Sequence, residues 1–261
     1  MGATTIAVLS QKGGTGKTTS VRTLTDVFRR IGFDVLAVDL DPQGNLSDYF
    51  DVDPEARPTI ADVLSGRASA TEAVHDDVLP ANLSLAEAEL ALAGKMGREL
   101  TLKRALRPLR DSYDFILLDC PPTLGLLTVN ALVAADHALL TTEAQYFALQ
   151  GVEQALEVIE LARDGLNPDL GWLGVVFNIA DMRTRHSRDA YDTLRSHVGR
   201  KLLTSTIRQS IAYAEASERA VSILDHRPDL GADYISLADE LLGRLGLTNA
   251  RRTLRAAQNG G

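Results

Sequence analysis

Residues 12–19 read Lys-Gly-Gly-Thr-Gly-Lys-Thr-Thr, and this stretch decides the fold. It follows a short apolar run, Thr5 to Leu9, and leads into Thr18 to Ile31, where apolar residues recur at helical spacing. A glycine-rich loop between a strand and a helix lets backbone N–H groups point inward, and the helix N-terminus adds partial positive charge. The stretch therefore predicts a phosphate-binding loop, with a plain strand-to-helix turn as the alternative.

The loop carries the side chains that a nucleotide with magnesium requires. Lys17 is expected to reach the β- and γ-phosphates, and the Thr18 hydroxyl to bind Mg²⁺. The common pattern has a glycine where this chain has Gln11, so the chain matches a narrower variant in which Lys12 precedes two adjacent glycines. We predict that ATP is bound by Lys12, Gly13, Gly14, Thr15, Gly16, Lys17, Thr18 and Thr19.

Apolar runs with a preference for β structure recur along the rest of the chain, separated by segments with helical spacing. The runs are Val35 to Asp39, Phe115 to Asp119, Ala138 to Thr142, Leu173 to Asn178 and Leu202 to Ile207, and the helical segments include Leu149 to Ala162 and Ser187 to Val198. Strands that are apolar throughout are typical of strands covered on both faces. We predict a single-domain α/β fold with a doubly wound, mostly parallel sheet flanked by helices.

Composition limits the possible classes of protein. With 261 residues, 45% of them hydrophobic and 24% charged, the chain has the profile of a globular protein. No apolar stretch approaches the roughly 18 residues of a membrane-spanning helix, and the first residues lack the basic start of a secretion signal. A single cysteine, Cys120, fits a reducing compartment. These features predict a cytoplasmic protein.

The formal charge of −8 is unevenly distributed. Residues 1–180 hold 14 Lys/Arg against 25 Asp/Glu, whereas residues 181–261 hold 13 against 10. A surface for a polyanion therefore belongs in the last third, although ordinary scatter of solvated arginines gives the same count.

Two further motifs occur in the same order as in a known family. Residues 39–45 read Asp-Leu-Asp-Pro-Gln-Gly-Asn, and residues 114–122 read Asp-Phe-Ile-Leu-Leu-Asp-Cys-Pro-Pro. With the loop, they resemble the ParA/MinD family of ATPases from about Thr4 to Leu242. The resemblance implies a nucleotide-joined homodimer in which Lys12 reaches the phosphates bound by the other subunit.

The same resemblance assigns roles to two carboxylates. It implies that Asp41, in the first switch, positions the attacking water, and that Asp119 is the Walker B acid that holds the Mg²⁺ shell. Lys12, Lys17 and Asp41 are thus the predicted catalytic residues, and Thr18, Asp41 and Asp119 the predicted magnesium residues. A turn-forming residue before proline is the alternative for Asp41, and a helix or turn cap is the alternative for Asp39.

Other segments match the family more loosely. Residues 121–132 resemble its second switch and the following helix, and residues 143–151 resemble the loop that lines its dimer face. Asn178 is at a position that often hydrogen-bonds adenine, with a polar strand cap as the alternative, and Ile207 and Arg208 are further predicted ATP contacts. We expect an ATPase domain over residues 1–247, with an irregular helical surface insertion at 51–97, and a partly flexible tail at 248–261.

ParA-type relatives bind DNA nonspecifically through basic residues of the C-terminal third. The candidates here are Arg183, Arg185, Arg188, Arg195, Arg200, Lys201, Arg208 and Arg227, and one sequence does not tell which of them share a face. The chain departs from the family at Ile207-Arg208-Gln209-Ser210, where relatives read Ile-Pro-Arg-Asn, and has an extra acid at Asp229. Arg208 is the expected substitute for the displaced cation.

The resemblance implies a positioning ATPase that uses ATP/ADP and Mg²⁺, dimerises on ATP, binds DNA at the nucleoid, and is released when a ParB-like or cargo-adaptor protein stimulates hydrolysis. The alternative is a MinD-like membrane-cycling regulator. Its anchor would be the C-terminal segment, which is broken by glycines and poor in bulky apolar residues. No stable membrane association is therefore expected.

Overall fold

The computed structural model describes residues 2–143 and 148–259, and within them the central feature is a seven-stranded sheet. The strands are β1 (Thr4–Leu9), β2 (Val35–Asp39), β3 (Val78–Leu79), β4 (Phe115–Asp119), β5 (His137–Glu143), β6 (Gly171–Ala180) and β7 (Leu202–Arg208). Their order is β3-β2-β4-β1-β5-β6-β7, and each neighbouring pair is parallel.

The strand order reverses at β1. Strands β2 to β4 lie on one side of it, and β5 to β7 lie on the other. At such a reversal the loops that leave neighbouring strands diverge, which opens a crevice beyond their carboxyl ends. The loop at residues 12–19 leaves the carboxyl end of β1. The fold therefore places that loop in the crevice.

Helices cover both faces of the sheet. They are α1 (Lys17–Arg30), α2 (Asn45–Tyr49), α3 (Ile60–Ser65), α4 (Ser84–Ala93), α5 (Thr101–Leu106), α6 (Leu126–Ala134), α7 (Ala148–Gly165), α8 (Arg185–Val198), α9 (Ala212–Glu218), α10 (Ile223–His226), α11 (Pro228–Arg244) and α12 (Thr248–Asn259). Helices α3 to α8 share one apolar core with the sheet, and α1, α2 and α9 to α12 share the other. The apolar residues of α1, including Val21, Leu24 and Phe28, are buried in the second core.

The predicted doubly wound α/β fold is confirmed. All six strands predicted from apolar runs are present, and α1, α7 and α8 occur where helical spacing indicated them. The chain also forms β3, which the sequence did not indicate because this strand has only two residues. Its partner, β2, lies some forty positions earlier in the chain.

The segment 51–97 is not confined to the surface, contrary to expectation. Val78–Leu79 extends the sheet as β3, and Ile60, Leu64 and Leu85 are buried in the core beside it. Its prolines and glycines keep the elements short, but Leu64, Leu85 and Leu92 are still buried, whereas Leu83 and Leu90 are exposed. The segment therefore contributes to the core of the domain.

The expected C-terminal tail is largely a helix, α12. Leu254 packs into the core with α11, and the guanidinium groups of Arg251 and Arg255 both pair with Asp239 of α11 at 2.7 Å. These contacts hold the helix against the body of the protein. Within the part of the chain that the structure describes, no helix combines the length and apolar character needed to cross a bilayer.

Helix α11 is joined to β7 by one carboxylate. Glu240 accepts hydrogen bonds from the backbone N–H groups of Thr204 and Ser205 at 2.9 and 3.0 Å. Their hydroxyls also donate to it, and Arg244 pairs with its other oxygen at 2.9 Å. Glu240 thereby ties the backbone of β7, the last strand of the sheet, to α11.

Candidate functional site

The loop between β1 and α1 is held open by its glycines. Gly14 and Gly16 have φ values of 79° and 80°, which side chains other than glycine rarely adopt. Below the loop, the Thr15 hydroxyl bonds those of Ser10 at 2.8 Å and Thr141 at 3.0 Å. The loop is therefore shaped by its backbone and fixed from beneath by hydroxyl groups.

The Lys17 ammonium group lies inside the curve of this loop. It donates to the Ser10 hydroxyl at 3.0 Å and to the backbone carbonyl of Lys12 at 3.3 Å. Burial lowers the pKa of Lys17, and the charges of Asp119 and Asp41 oppose the fall. A buried cation beside inward-facing backbone N–H groups suits the phosphates of a nucleotide. Ser10 is a contact that the sequence did not indicate.

Two acids meet at the carboxyl ends of β2 and β4. Asp39 and Asp119 are paired in register on these adjacent strands, and both are buried. Burial, with Asp39 nearby, raises the pKa of Asp119 to about 8. Burial also raises the pKa of Asp39, to about 6, against hydrogen bonds that lower it. The two buried acids therefore keep their protons more readily than exposed carboxyl groups do, and a bound cation would favour their ionised form.

Asp119 has the surroundings of a cation ligand. The Thr18 hydroxyl donates to its Oδ2 atom at 2.7 Å. Its Oδ1 atom is buried and accepts no hydrogen bond from the described residues. A buried carboxylate oxygen without a partner is costly unless a cation or water satisfies it. The structure thus brings together two of the three predicted magnesium residues.

Asp39 forms the cap that was its alternative interpretation. It accepts hydrogen bonds from the backbone N–H groups of Asp41 and Ser47, each at 3.0 Å, and from the Ser47 hydroxyl at 2.8 Å. The Ser47 hydroxyl in turn accepts from the backbone of Ala81 at 2.9 Å. Asp39 and Ser47 therefore fasten the loop after β2 to the 51–97 segment, a role for Ser47 that the sequence did not indicate.

Asp41 is partly exposed at the mouth of the crevice. Its Oδ1 atom accepts the backbone N–H of Gln43 at 3.0 Å, which is the turn geometry proposed as its alternative interpretation. Its charge nevertheless lies close enough to influence the pKa values of both Lys17 and Asp119. The turn thus holds the carboxylate beside the phosphate loop.

Lys12 projects from the loop and forms an ion pair with Glu143 at the end of β5. A cavity of about 250 Å³ lies beside this pair and is lined by Gln11, Thr141, Gln150 and Val152. The predicted dimer-face loop, 143–151, includes residues 144–147, which lie outside the described residues. Lys12 and Glu143 thus mark the side of the crevice nearest to α7.

A second cavity, of about 520 Å³, opens on the other side of the loop. It is lined by Gly14, Gly16, Thr19, Asn178, Ile207, Arg208 and Tyr213, among others. The buried Asn178 amide donates to the backbone carbonyl of Thr15 at 2.8 Å, and its Oδ1 atom has no partner among the described residues. Asn178 therefore has an acceptor oxygen available for a ligand.

The guanidinium group of Arg208 is bound by acceptors within the protein. Its Nε atom pairs with Asp233 at 2.9 Å, and a terminal nitrogen donates to the backbone carbonyl of Asp229. The sequence suggested that Arg208 replaces the cation displaced from the neighbouring position. Its guanidinium joins the end of β7 to α11 in the structure, and its role as a substitute cation stays a prediction.

The predicted DNA-binding residues do not share a single face. Arg183, Arg208 and Arg227 line a groove of about 850 Å³, between the loops after β6 and β7 and the start of α11; we call it the arginine groove. Arg185, Arg188 and Arg195 lie on α8. The Arg188 guanidinium donates to the backbone carbonyl of Arg183 at 3.0 Å. Arg200 and Lys201 precede β7, at the opposite end of the strands.

Comparison with known proteins identifies relatives that cover most of the chain. A family model described as an AAA domain matches residues 3–172. The chain is 36% identical to the sporulation initiation inhibitor protein Soj of Bacillus subtilis, over 90% of this chain and 97% of that protein. It is 35% identical to the chromosome partitioning protein ParA of Caulobacter vibrioides, over 92% of this chain and 94% of that protein.

Solved structures agree with this fold. A Mycobacterium smegmatis structure described as cobyrinic acid a,c-diamide synthase, with ATP analogue and magnesium, has a TM-score of 0.83 at 35% identity and covers 92% of this chain and 94% of its own. The cell division ATPase MinD of Pyrococcus furiosus has a TM-score of 0.75 at 29% identity, covering 92% of this chain and 98% of its own.

Proposed function

Because the chain belongs to the family of Soj and ParA partitioning ATPases, we propose that it binds ATP and Mg²⁺ in the loop at residues 12–19, pairs with a second copy, and holds DNA until hydrolysis releases it. One observation carries the nucleotide part of this proposal. The Lys17 ammonium group lies inside the loop, and beside it the Thr18 hydroxyl bonds Asp119, whose second oxygen has no partner among the described residues.

These groups fit magnesium and triphosphate. Thr18 and Asp119 would hold Mg²⁺, directly or through its water shell, because hydroxyl and carboxylate oxygens are the ligands it prefers. When bound, the ion neutralises charge on the transferred phosphate. Backbone N–H groups of Gly14 to Thr18 and the Lys17 ammonium group would hold the phosphate oxygens, and Asn178 Oδ1 would accept a hydrogen bond from the base.

Asp41 is proposed to orient the attacking water. Its carboxylate lies at the rim of the crevice, and its turn keeps it near Lys17 without a buried ion pair to neutralise it. A fixed carboxylate can accept a hydrogen bond from a water molecule and so direct a lone pair of the water oxygen at phosphorus. Asp39 supports this arrangement by binding the backbone N–H of Asp41.

Lys12 is proposed to contact the nucleotide of a second subunit. It is 62% exposed and pairs with Glu143 within its own chain, so the ammonium group is held at the surface beside the loop. An incoming γ-phosphate would compete with Glu143 for this cation. Dimerisation would then depend on ATP rather than ADP.

DNA is the proposed matrix and a ParB-like or cargo-adaptor protein the proposed partner. Arg183 and Arg227 supply exposed guanidinium groups in one groove, as phosphate contacts require. The acidic first 180 residues offer a complementary surface to a basic partner segment. We propose that residues 1–247 form the ATPase domain, with α12 as a C-terminal addition, and that the ATP-bound form locates to the nucleoid.

Sedimentation velocity tests whether ATP controls dimerisation. Wild-type protein with Mg²⁺ and non-hydrolysable ATP is expected to sediment as a dimer, and with ADP as a monomer. Lys12→Ala is expected to remain monomeric with both nucleotides, whereas Lys95→Ala, at an exposed lysine in the 51–97 segment, should behave as wild type. Equal dimerisation of Lys12→Ala and wild type would reject the role of Lys12, and absence of measurable nucleotide binding in calorimetry would reject the whole proposal.

A membrane-cycling regulator is a second candidate, since the likeness to MinD supports it. Its anchor would have to come from α12, whose one large apolar side chain in the described range, Leu254, is buried against α11. Co-sedimentation with vesicles of phosphatidylglycerol and phosphatidylethanolamine, with and without ATP, separates the candidates. The partitioning proposal predicts no ATP-dependent membrane binding.

An amide synthase is a third candidate, since the Mycobacterium smegmatis structure carries that description. The test is ATP turnover in the presence of cobyrinic acid and glutamine. Formation of the a,c-diamide would establish the synthase activity. A rate unchanged by these compounds, together with stimulation by DNA and a partner, would favour partitioning.

A further inference from the structure

The two exposed arginines of the arginine groove already hold carboxylates. Arg183 pairs with Asp181 through Nε at 2.8 Å and a terminal nitrogen at 2.9 Å. Arg227 pairs with Asp229 in the same way, at 2.9 and 3.1 Å. The guanidinium fork that binds a carboxylate in this geometry is also the fork that binds a phosphate. A DNA phosphate would therefore meet two arginines whose Nε atom and one terminal nitrogen already donate to a carboxylate.

These two pairs differ from the pair formed by Arg208. Arg183 is 91% exposed and Arg227 50% exposed, and each holds an acid only two positions away in the chain. Asp233, the partner of Arg208, is only 15% exposed and lies on α11, 25 positions later in the chain. Exposed pairs in water contribute little to stability and exchange readily. Arg183 and Arg227 can therefore change partners, whereas Arg208 is fixed to α11.

We propose that Asp181 and Asp229 occupy the fork formed by Nε and one terminal nitrogen of Arg183 and Arg227, so that duplex DNA must displace the two acids to use these forks, while Arg208 has a structural role. This inference rests on the proposed function, because it assumes that DNA is the polyanion. A carboxylate tethered two residues away has a high effective concentration at its arginine. A single free phosphate competes poorly with it, whereas a duplex brings many phosphates to both arginines at once.

The tethered acids should therefore weaken DNA binding in a measurable way. In Asp229→Asn the amide keeps the shape of the side chain but removes the competing charge. Affinity for duplex DNA is expected to rise about three- to tenfold, and the slope of log affinity against log salt to steepen by about 0.9, because Arg227 then contributes an uncompensated charge. Asp181→Asn should act in the same direction through Arg183.

The experiment is fluorescence anisotropy with a labelled duplex of random sequence, at several salt concentrations, with Mg²⁺ and non-hydrolysable ATP. The matched control is Glu160→Gln, because Glu160 forms an exposed pair with Arg163 at 2.9 Å on α7 and lines no part of the groove. Glu160→Gln should leave affinity and salt slope near wild type. An equal gain in this control would mean that net charge alone is responsible, and would overturn the proposal.

A double-mutant cycle tests whether the gain in DNA affinity of Asp229→Asn depends on Arg227. In an Arg227→Gln background, adding Asp229→Asn should change affinity very little, because the acid acts through that arginine. The same gain with and without Arg227 would refute the displacement mechanism. Arg208→Gln should lower the melting temperature and leave the salt slope unchanged; a flatter slope would instead make Arg208 a phosphate contact and overturn its structural assignment.

The outcomes distinguish this inference from the function on which it rests. If wild type binds DNA and Asp229→Asn binds no more tightly, the inference fails and the proposed function stands. If wild type binds weakly and both Asn variants bind tightly, both are supported. If none of the proteins binds DNA with ATP, DNA is not the matrix, and both are rejected.

Discussion

Asp39 and Asp119 lie opposite each other at the carboxyl ends of neighbouring parallel strands, and both are buried. Asp39 receives three hydrogen bonds from Asp41 and Ser47, whereas one oxygen of Asp119 receives none from the described residues. The structure therefore divides the two acids into one that holds the loop after β2 and one that is available to a cation.

The pair makes stability depend on pH when nucleotide and Mg²⁺ are absent. The pKa of Asp119 is raised to about 8, so between pH of about 4 and 8 the folded protein retains a proton that the unfolded chain has lost. Asp119 alone should therefore make the free energy of unfolding fall as pH rises through this interval, by up to about 1.4 kcal/mol per pH unit, and Asp39, whose pKa is raised to about 6, adds to the fall in the lower part of the interval. In Asp119→Asn this dependence should be reduced. Thermal melts in EDTA across the interval measure it, and equal slopes in the two proteins would contradict the prediction.

Lys17→Ala should abolish nucleotide binding while leaving the fold intact. The ammonium group is the buried positive charge inside the loop, and hydrogen bonds to charged groups contribute about 1.5–3 kcal/mol each. Affinity for ATP should fall at least about 100-fold, since 1.4 kcal/mol corresponds to a factor of ten. Calorimetry gives the affinity and circular dichroism checks the fold, with Lys95→Ala as the control. Retained micromolar-range binding would show that Lys17 does not contact the phosphates.

Asp41→Ala should separate binding from hydrolysis. The carboxylate makes a surface turn and no buried ion pair, so its loss should change stability by no more than about 0.5 kcal/mol. If it orients water, ATP turnover should fall about 100-fold or more, as for other positioned acid–base groups. Stopped turnover with unchanged nucleotide affinity is the expected result. A turnover close to wild type would show that Asp41 only stabilises the turn and does not orient water.

Gly16→Ala and Gly14→Ala form a matched pair. Both glycines have φ near 80°, so either alanine should cost about 1–2 kcal/mol in backbone strain. A Cβ at Gly14 meets open space, whereas one at Gly16 would lie 2.7 Å from the Asn178 amide nitrogen. Gly16→Ala should therefore lose more stability and more ATP affinity. Asn178→Ala should recover part of that loss in the Gly16→Ala background only, as thermal melts and calorimetry can show.

Local signals predicted the centre of the molecule well. The strands β1, β2 and β4 are short apolar runs, and the loop at residues 12–19 specifies its own conformation through glycine. Strand β3 was not predicted, because two residues become a strand only when β2 is placed beside them. The buried positions of Ile60 and Leu64 likewise depend on the sheet rather than on their neighbours in sequence.

The arrangement of the basic residues could not be predicted for a similar reason. Arg183, Arg208 and Arg227 come together from the loop after β6, the end of β7 and the start of α11, and Arg200, only eight positions before Arg208, lies at the other end of β7. The departure at residues 207–210 was visible in the sequence, but the destination of Arg208 was not. Asp233, which binds it, lies on a helix that the chain reaches 25 positions later.

The carboxylate of Glu240 has a consequence for self-association. An outermost strand exposes unpaired N–H groups that can recruit a strand from another molecule, and this leads to edge-to-edge aggregation. Glu240 engages two of these groups on β7, and at the opposite border of the sheet β3 is only two residues long. Both borders are thus poor templates for strand addition. Any contact between copies of the protein would therefore have to use side-chain surfaces rather than a continuous sheet.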